Sequence, residues 1–473
     1  MADQSSHTRF RKFLDRIRAE SPLMPHVFIT ALSALIVLRW ADFQDAELEA
    51  MAVFDGEPYE PVLPGAMHWR AWYDSYPEIL HEFLTDRLPC ELSRFGNAPH
   101  NPMAAHLSRL PFALEPLKRL PVQRLADLVR LLAELPFETP SDRRQVLELL
   151  DYVLESFQDR HSGDAGTPSA IARLMAMLAS PAPGERVYDP CFGSGGLLTA
   201  AIDEAITKME PGRVRYAEPV LSVTGVELNP SAYLIGLTRL VLSGIDDPRL
   251  ELADSLARAP MTGLGRNGFD VVLADPPWGW KAKLDNRYGL EHYPVMTQDG
   301  TGLFIQHTMA HLRPEGRAVI AVPYGLLFRG GADQKLRRWL LENHTVEAVI
   351  ALPETAFLPL TSIKSSLLVI RRGGQTRRVR MVNAEPFFEK GKNRKPADLQ
   401  DHKARTLVTS IHSAAPAEWA WDVDENTLTE TGYDLTPQRR NLSTLDAILT
   451  TLRNSMDVLR LKDCCRVTAG RSI

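Results

Sequence analysis

FDVVLADPPWG, residues 269–279, is an apolar run that stops at an acid and two prolines. Comparable runs recur on either side: RVYDP (186–190), VTGVEL (223–228), GRAVIAVP (316–323), VEAVIALP (346–353) and SSLLVIRR (365–372), with helix-length segments between them. Near-continuous Val, Ile and Leu runs are strands buried on both faces, the pattern of a parallel sheet covered by helices. The reading is a doubly wound α/β domain from about 163 to 375. Ligands in such folds bind beyond the carboxyl ends of the strands, so the residues closing each run are the candidates for chemistry.

Four of these endings carry suitable groups. The first is Asp189-Pro190-Cys191-Phe192-Gly193-Ser194-Gly195-Gly196, followed by the helical LLTAAIDEAI. Glycines let the backbone approach a ligand closely, and a helix start offers unpaired N–H groups. Gly193 and Gly195 fit a dinucleotide fingerprint, but Leu198 occupies its third glycine position, so that reading fails on spacing. Asp189 would repel phosphate and could hold a cationic or hydroxyl-bearing ligand. The second is Glu227, a carboxylate able to accept from both hydroxyls of a ribose. The third is Asp254 in LADSL, an acceptor for an adenine amino group.

The fourth is Asp275-Pro276-Pro277-Trp278. Prolines stiffen the turn and cannot donate, so the Asp275 carboxyl and the Pro276 carbonyl are free to take the two N–H groups of an exocyclic amine. The lone pair of that nitrogen would then point at an incoming methyl group. Trp278 offers a flat face on which an extruded base can stack.

The four motifs, in this order, resemble the amino-methylating, S-adenosylmethionine-dependent DNA methyltransferases, and more narrowly the modification subunit of type I restriction–modification systems. GTPSAIARLMAMLASPAPGERVYDPCFGSGGLL (166–198), TGLFIQHTMAHLRPEGRAVIAVPYGLLFRGG (301–331) and LLENHTVEAVIALPETAF (340–357) are similar to successive segments of that catalytic domain. The resemblance implies a Rossmann-like class I methyltransferase sheet preceded by an all-helical N-terminal domain. It implies S-adenosyl-L-methionine as cofactor, with Thr167, Asp189, Gly193 and Gly195 around its methionine part, Glu227 at the ribose and Asp254 at the adenine edge. Asp275, Pro276, Pro277 and Trp278 would hold the target amine. Its implied partners are double-stranded DNA, a specificity subunit or in-chain target-recognition domain, and a restriction or translocase subunit.

Three departures stand out. SGDAGTP (162–168) lacks the family's aromatic residue before Thr-Pro, and Cys191-Phe192 replaces a common Ala-Cys. Asp275 and Trp278 stand in place of Asn and Phe or Tyr. At this point adenine N6, the reading taken, has cytosine N4, an RNA or protein-glutamine amine, and a non-catalytic scaffold as its rivals.

The rest of the chain sets the frame. Its 473 residues, 44% hydrophobic and 24% charged, have room for two to four domains and exclude a mainly disordered chain. The expected division is a helical domain over 1–160, the catalytic domain over 161–375, a basic extension of the catalytic domain over 376–440, and a helical linker with the start of a target-recognition domain over 441–473. LADLVRLLAELPF (125–137) and RQVLELLDYVLESF (144–157) repeat at helical spacing, with Ser141-Asp142 as expected cap. VFITALSALIVL (27–38) is uncharged but only 12 residues long, so a buried helix is expected rather than a membrane span or signal. Cys90, Cys191, Cys464 and Cys465 form no CxxC pair, which argues against a zinc site or disulfide framework and for a reducing, cytoplasmic setting. The net charge of −5 is segregated: residues 1–160 carry seven more acids than bases, while 371–405 carry seven more bases than acids. TGYDLTPQRRN (431–441) resembles the close of a modification subunit, and VLRLKDCCRVTAGRSI (458–473) the opening of a target-recognition domain, which leads to the expectation of a truncated modification–specificity fusion.

Overall fold

The computed structural model describes residues 12, 23–95, 102–156, 166–209, 220–257, 268–282, 293–389, 391, 395–413 and 417–437. The expected recognition-domain opening at 458–473, with Cys464 and Cys465, lies outside the described residues.

The central element is a mixed sheet of nine strands in the order β3-β2-β1-β4-β5-β7-β6-β8-β9. These are β1 (Arg186–Asp189), β2 (Ser222–Glu227), β3 (Arg249–Leu252), β4 (Phe269–Ala274), β5 (Leu312–Pro323), β6 (Thr345–Ala351), β7 (Ser365–Arg371), β8 (Arg378–Asn383) and β9 (Ala420–Asp424). Strands β1 to β5 are mutually parallel, whereas β7 runs antiparallel to both β5 and β6. The expectation of a parallel sheet is therefore corrected at β7. Its run SSLLVIR is buried at every position but the last, and burial on both faces dictates an apolar run regardless of strand direction. The order of the strands turns back between β1 and β4, so their carboxyl ends open onto the crevice where such folds bind ligands.

The sheet also continues past 375. β8 pairs parallel with β6, and β9 pairs antiparallel with β8. β8 lies inside the basic stretch, and its charge hid the strand: in RVRMVN, Arg380 is buried, donating to the Ser410 carbonyl (3.1 Å) and pairing with Asp422 (3.4 Å). Other cations of this stretch are also paired: Arg371 with Glu347, Arg377 with Glu425, Arg378 with Asp422 and Lys403 with Glu389. Part of the positive excess in sequence is thus matched in space by three acids from outside 371–405, Glu347, Asp422 and Glu425.

On the N-terminal side, α1 (Pro25–Asp55) contains the uncharged stretch and buries Phe28 through Leu38. At 31 residues it is long and apolar enough to cross a membrane, but 78% of its most apolar window is buried inside the protein. The 12-residue estimate fell short because the helix continues through the charged Arg39–Asp55. Further on come α2 (Val122–Ala133) and α3 (Pro140–Ser156). The start of α3 is held by Thr139 and Asp142: Asp142 Oδ2 accepts from the Thr139 N–H (2.9 Å), and Thr139 Oγ1 accepts from the Asp142 N–H (3.2 Å). This reciprocal box replaces the expected Ser141-Asp142 cap.

Flanking the sheet are α4 (Ser169–Ala179), α5 (Gly196–Ile206), α6 (Pro230–Leu242), α7 (Gly300–His311), α8 (Ala332–Asn343) and α9 (Asp401–His412). α1 packs along α6, where Thr238 Oγ1 also reaches the Ser33 carbonyl (3.4 Å), and one apolar cluster runs from α1 through α6 to the sheet. A polar bridge reinforces this junction: His106 bonds both the Tyr233 hydroxyl and the Pro248 carbonyl, while Arg109 donates to Tyr233 Oη (2.7 Å).

On the opposite face, α7 buries His307 beside Tyr188 of β1, with His307 Nε2 3.0 Å from the Tyr188 hydroxyl and its ring stacked on His311 (3.9 Å). Burial, then the neighbouring His311, holds the His307 pKa well below the usual imidazole value. The native state therefore keeps this ring neutral, while the unfolded chain binds a proton below about pH 6.5. Stability from this site is present above that pH and is lost as the pH falls towards the depressed native value. Between about pH 6.5 and 5 this site lowers the melting temperature, so His307→Gln should lose less stability than the wild type as the pH falls through that range. A pH response of His307→Gln identical to that of the wild type would contradict the assignment.

Candidate active site

The glycine turn is set by packing. Gly193 and Gly195 adopt φ of +54° and +81°, which glycine reaches without strain. A Cβ on Gly195 would lie 3.0 Å from the Cα of Gly236 in α6. Phe192 enters a slot between β2 and α6 that exists only because both walls lack side chains: a Cβ on Gly225 would lie 2.6 Å from its ring, and one on Gly236 2.5 Å. The replacement at Cys191-Phe192 is thus a change of packing. Held by this plug, the Gly193 N–H donates to Glu227 Oε2 (2.8 Å), and Glu227 Oε1 accepts from the N–H groups of Leu228 (2.8 Å) and Asn229 (2.7 Å). Three backbone donors hold the carboxylate at the end of β2 with lone pairs left for a ligand.

Asp189, closing β1, is fully buried. Its Oδ1 accepts from the Cys191 N–H (2.9 Å), while Oδ2 is buried with no partner among the described residues. Burial, then the acidic neighbours Glu227 and Asp275, pushes its carboxyl well above the ordinary range. Asp275 follows the adjacent strand β4, and Thr167 Oγ1 donates to its Oδ2 at 2.8 Å. Burial raises Asp275 to about 7 in spite of that bond. Asp254 Oδ1 accepts from the Leu256 N–H (3.0 Å), and Ser255 bonds the Pro190 carbonyl, tying the β3 turn to the glycine turn. Pro276 is buried and Pro277 exposed, while Trp278 is half-buried and meets Phe357 edge-on at 4.8 Å between centroids.

The structure thus places the sequence-predicted residues along one carboxyl edge of the sheet, with Thr167, 108 positions away in the chain, in contact with Asp275. Sequence reasoning missed Phe357, which stands six residues beyond β6 in LPETAF, and Tyr293, whose buried hydroxyl has no partner among the described residues and is pushed up by burial and by Asp254. The position of Phe357 beyond a strand end was a usable signal; nothing in the sequence marked Tyr293. An open cavity of about 1060 Å³ lies at the other end of the strands, beside Val220–Val223 and Arg249. Two of its basic side chains are partnered, Arg143 with Asp246 and Arg144 with Asp203.

The profile of the N-6 DNA methylase family matches residues 143–444, well over half the chain. The chain belongs to the N-6 DNA methylase family. It is similar to the methylase subunit of the type I restriction enzyme EcoEI of Escherichia coli, 26% identical over 357 residues, covering 74% of this chain and 71% of that one. It is also similar to the MpnII methylase subunit of Mycoplasma pneumoniae, 28% identical over 301 residues, with 59% and 52% covered, so it spans about half of that relative. Among solved structures, a modification subunit of a type I restriction enzyme from Vibrio vulnificus YJ016 superimposes with a TM-score of 0.74 over 95% of this chain and 99% of that one, at 22% identity, which shows the shared fold.

Family members transfer a methyl group from S-adenosylmethionine to adenine N6 in DNA, which sets cytosine N4 and the non-DNA amines aside. Type I methylases are soluble cytoplasmic enzymes. The crevice fits the cofactor's charge: three carboxyls, one with an orphaned buried oxygen, repel one another and would be relieved by a ligand bearing sulfonium and ammonium groups. Asp189→Asn removes the charge without changing the side chain's shape. S-adenosylmethionine affinity, read by calorimetry, should fall about 10- to 100-fold, the scale of a charged hydrogen bond; an unchanged Kd would exclude Asp189 from the site.

Proposed function

We propose that this chain is the modification subunit of a type I restriction–modification system and methylates adenine N6 through the Asp275–Trp278 turn. One observation carries the assignment of residues: the Thr167–Asp275 hydrogen bond, which joins the segment leading into the cofactor crevice to the acceptor of the target amine. Asp275 Oδ2 is occupied by Thr167, and Oδ1 remains to accept one N6–H, while the Pro276 carbonyl accepts the other. With both hydrogens held, the nitrogen lone pair faces the crevice, and this alignment is the main source of rate. When bound, S-adenosylmethionine supplies an electrophilic methyl group on a positively charged sulfur. Trp278 provides the stacking face for the extruded base, and Phe357, edge-on to it, keeps that indole from rotating.

As the amine nitrogen becomes positively charged, an ionised Asp275 stabilises it and can receive the proton it sheds. Glu227 would hold the ribose, Asp254 the adenine edge, and the Gly193–Gly195 turn the methionine part of the cofactor. In this reading a specificity subunit reads the DNA sequence, a restriction or translocase subunit completes the system, and the assembly works on the nucleoid. The likeness to the EcoEI and MpnII methylase subunits supports it.

Because the active form of Asp275 is the carboxylate, methylation of DNA should fall as the pH drops below about 7. Asp275→Asn keeps the acceptor oxygen and should flatten that profile at a modest cost. Asp275→Ala removes the acceptor and should lower kcat by about 10² or more, the scale of deleting one charge-stabilising group. Tritiated methyl transfer to unmethylated genomic DNA, with nucleoside analysis of the product, provides the measurement. Full activity in Asp275→Ala, or N4-methylcytosine as product, would refute the mechanism.

A further inference from the structure

Three large apolar side chains stand out of the protein beside the crevice: Phe328 (49% exposed), Leu360 (43%) and Ile363 (51%). They belong to the turns after β5 and β6, and bonded contacts connect them to the target turn. Trp278 touches Phe357, the Phe357 carbonyl accepts from the Thr361 N–H (3.1 Å), and the Lys364 carbonyl accepts from the Tyr324 N–H (2.8 Å). Tyr324 in turn lies 6.2 Å from the Phe328 ring.

The projection of Phe328 is enforced. Arg337, 1% exposed, donates to the carbonyls of Leu326 (2.7 Å), Arg329 (2.8 Å) and Tyr433 (2.7 Å). Burying a guanidinium is costly unless its donors are satisfied, and here they are spent on clamping the backbone on both sides of Phe328. The Leu435 N–H adds a bond to the Leu327 carbonyl (2.9 Å). The clamp fixes the backbone of this turn, so the exposed ring is carried on a rigid base.

We propose that this rim is the surface that meets the DNA duplex at the target step, with Phe328 entering the space that the extruded adenine vacates. The inference rests on the methylation reading above, since a base can reach Asp275 only by leaving its stack. Apolar wedges between base steps, flanked by cations, are the chemistry by which proteins open duplexes. Lys364, whose ammonium sits 5.0 Å over the Tyr324 ring, and Arg329, half-exposed though bonded to Asp333, supply the flanking charge for phosphates.

The test uses the complex purified through a tag on this chain, and duplex oligonucleotides carrying the N6-methyladenine motif mapped in the host genome. The target adenine faces either thymine or an abasic site, the latter leaving it unpaired beforehand. Phe328→Ala and Ile363→Ala should lower kcat/KM by about tenfold or more on the paired duplex and by less than about twofold on the abasic one, because only the first must be opened. Phe328→Leu should retain most of the activity, and the melting shift induced by S-adenosylmethionine should be that of the wild type. Unchanged rates on the paired duplex, equal losses on both substrates, or loss of a co-purifying subunit would each overturn the proposal, the last by making the rim a protein-docking face. Wild-type failure to methylate either duplex would refute the methylation reading itself, and the wedge with it.

Discussion

The site depends on one close approach. Phe192 fills a slot that only glycine at both 225 and 236 leaves open, pinning the glycine turn between β2 and α6. Everything ligand-facing on that side inherits its position from this contact. The Gly193 N–H is brought to Glu227, the helix α5 begins where it does, and Asp189 is sealed from water beneath the turn. The energy comes from apolar burial, which has no direction, while the precision comes from the absence of two Cβ atoms. Packing of this kind fixes a ligand cradle without spending polar groups that the ligand will need.

The acids follow a complementary logic. Asp189, Glu227 and Asp275 terminate neighbouring strands, so sheet geometry brings like charges together around the buried Asp189. A protein tolerates such crowding when something positive is expected. Asp275 is held by a side-chain hydroxyl, that of Thr167, and in the proposed reaction it is the group that changes its interactions.

Much of this was legible in the sequence, for an identifiable reason. The strands β1, β4, β6 and β7 and the second half of β5 are mostly buried, so they appear as apolar runs, and the residues ending such strands are where a sheet of this kind binds ligands. β3 is only four residues long and includes two charged ones, and β8 is interleaved with arginines, so neither presented such a run. Contacts between distant parts of the chain left no trace: Thr167 with Asp275, Phe357 with Trp278, and His106 with Tyr233 depend on how the chain closes, not on local pattern. The ion partners of Arg371, Arg377 and Arg378 likewise lie outside the basic stretch that contains them.

The long apolar helix α1 has a further consequence. Its partner is α6, whose other side supplies Gly236 to the Phe192 slot. The outer surface of the catalytic fold and the wall of its cofactor cradle are thus two faces of one helix, 13 residues long. Exchange of N-terminal domains between relatives is therefore constrained: a foreign helix that tilted α6 by a fraction of an ångström would close the slot. The two parts have to be inherited as a matched pair, and residues on α1 that never approach a ligand should drift in concert with those on α6.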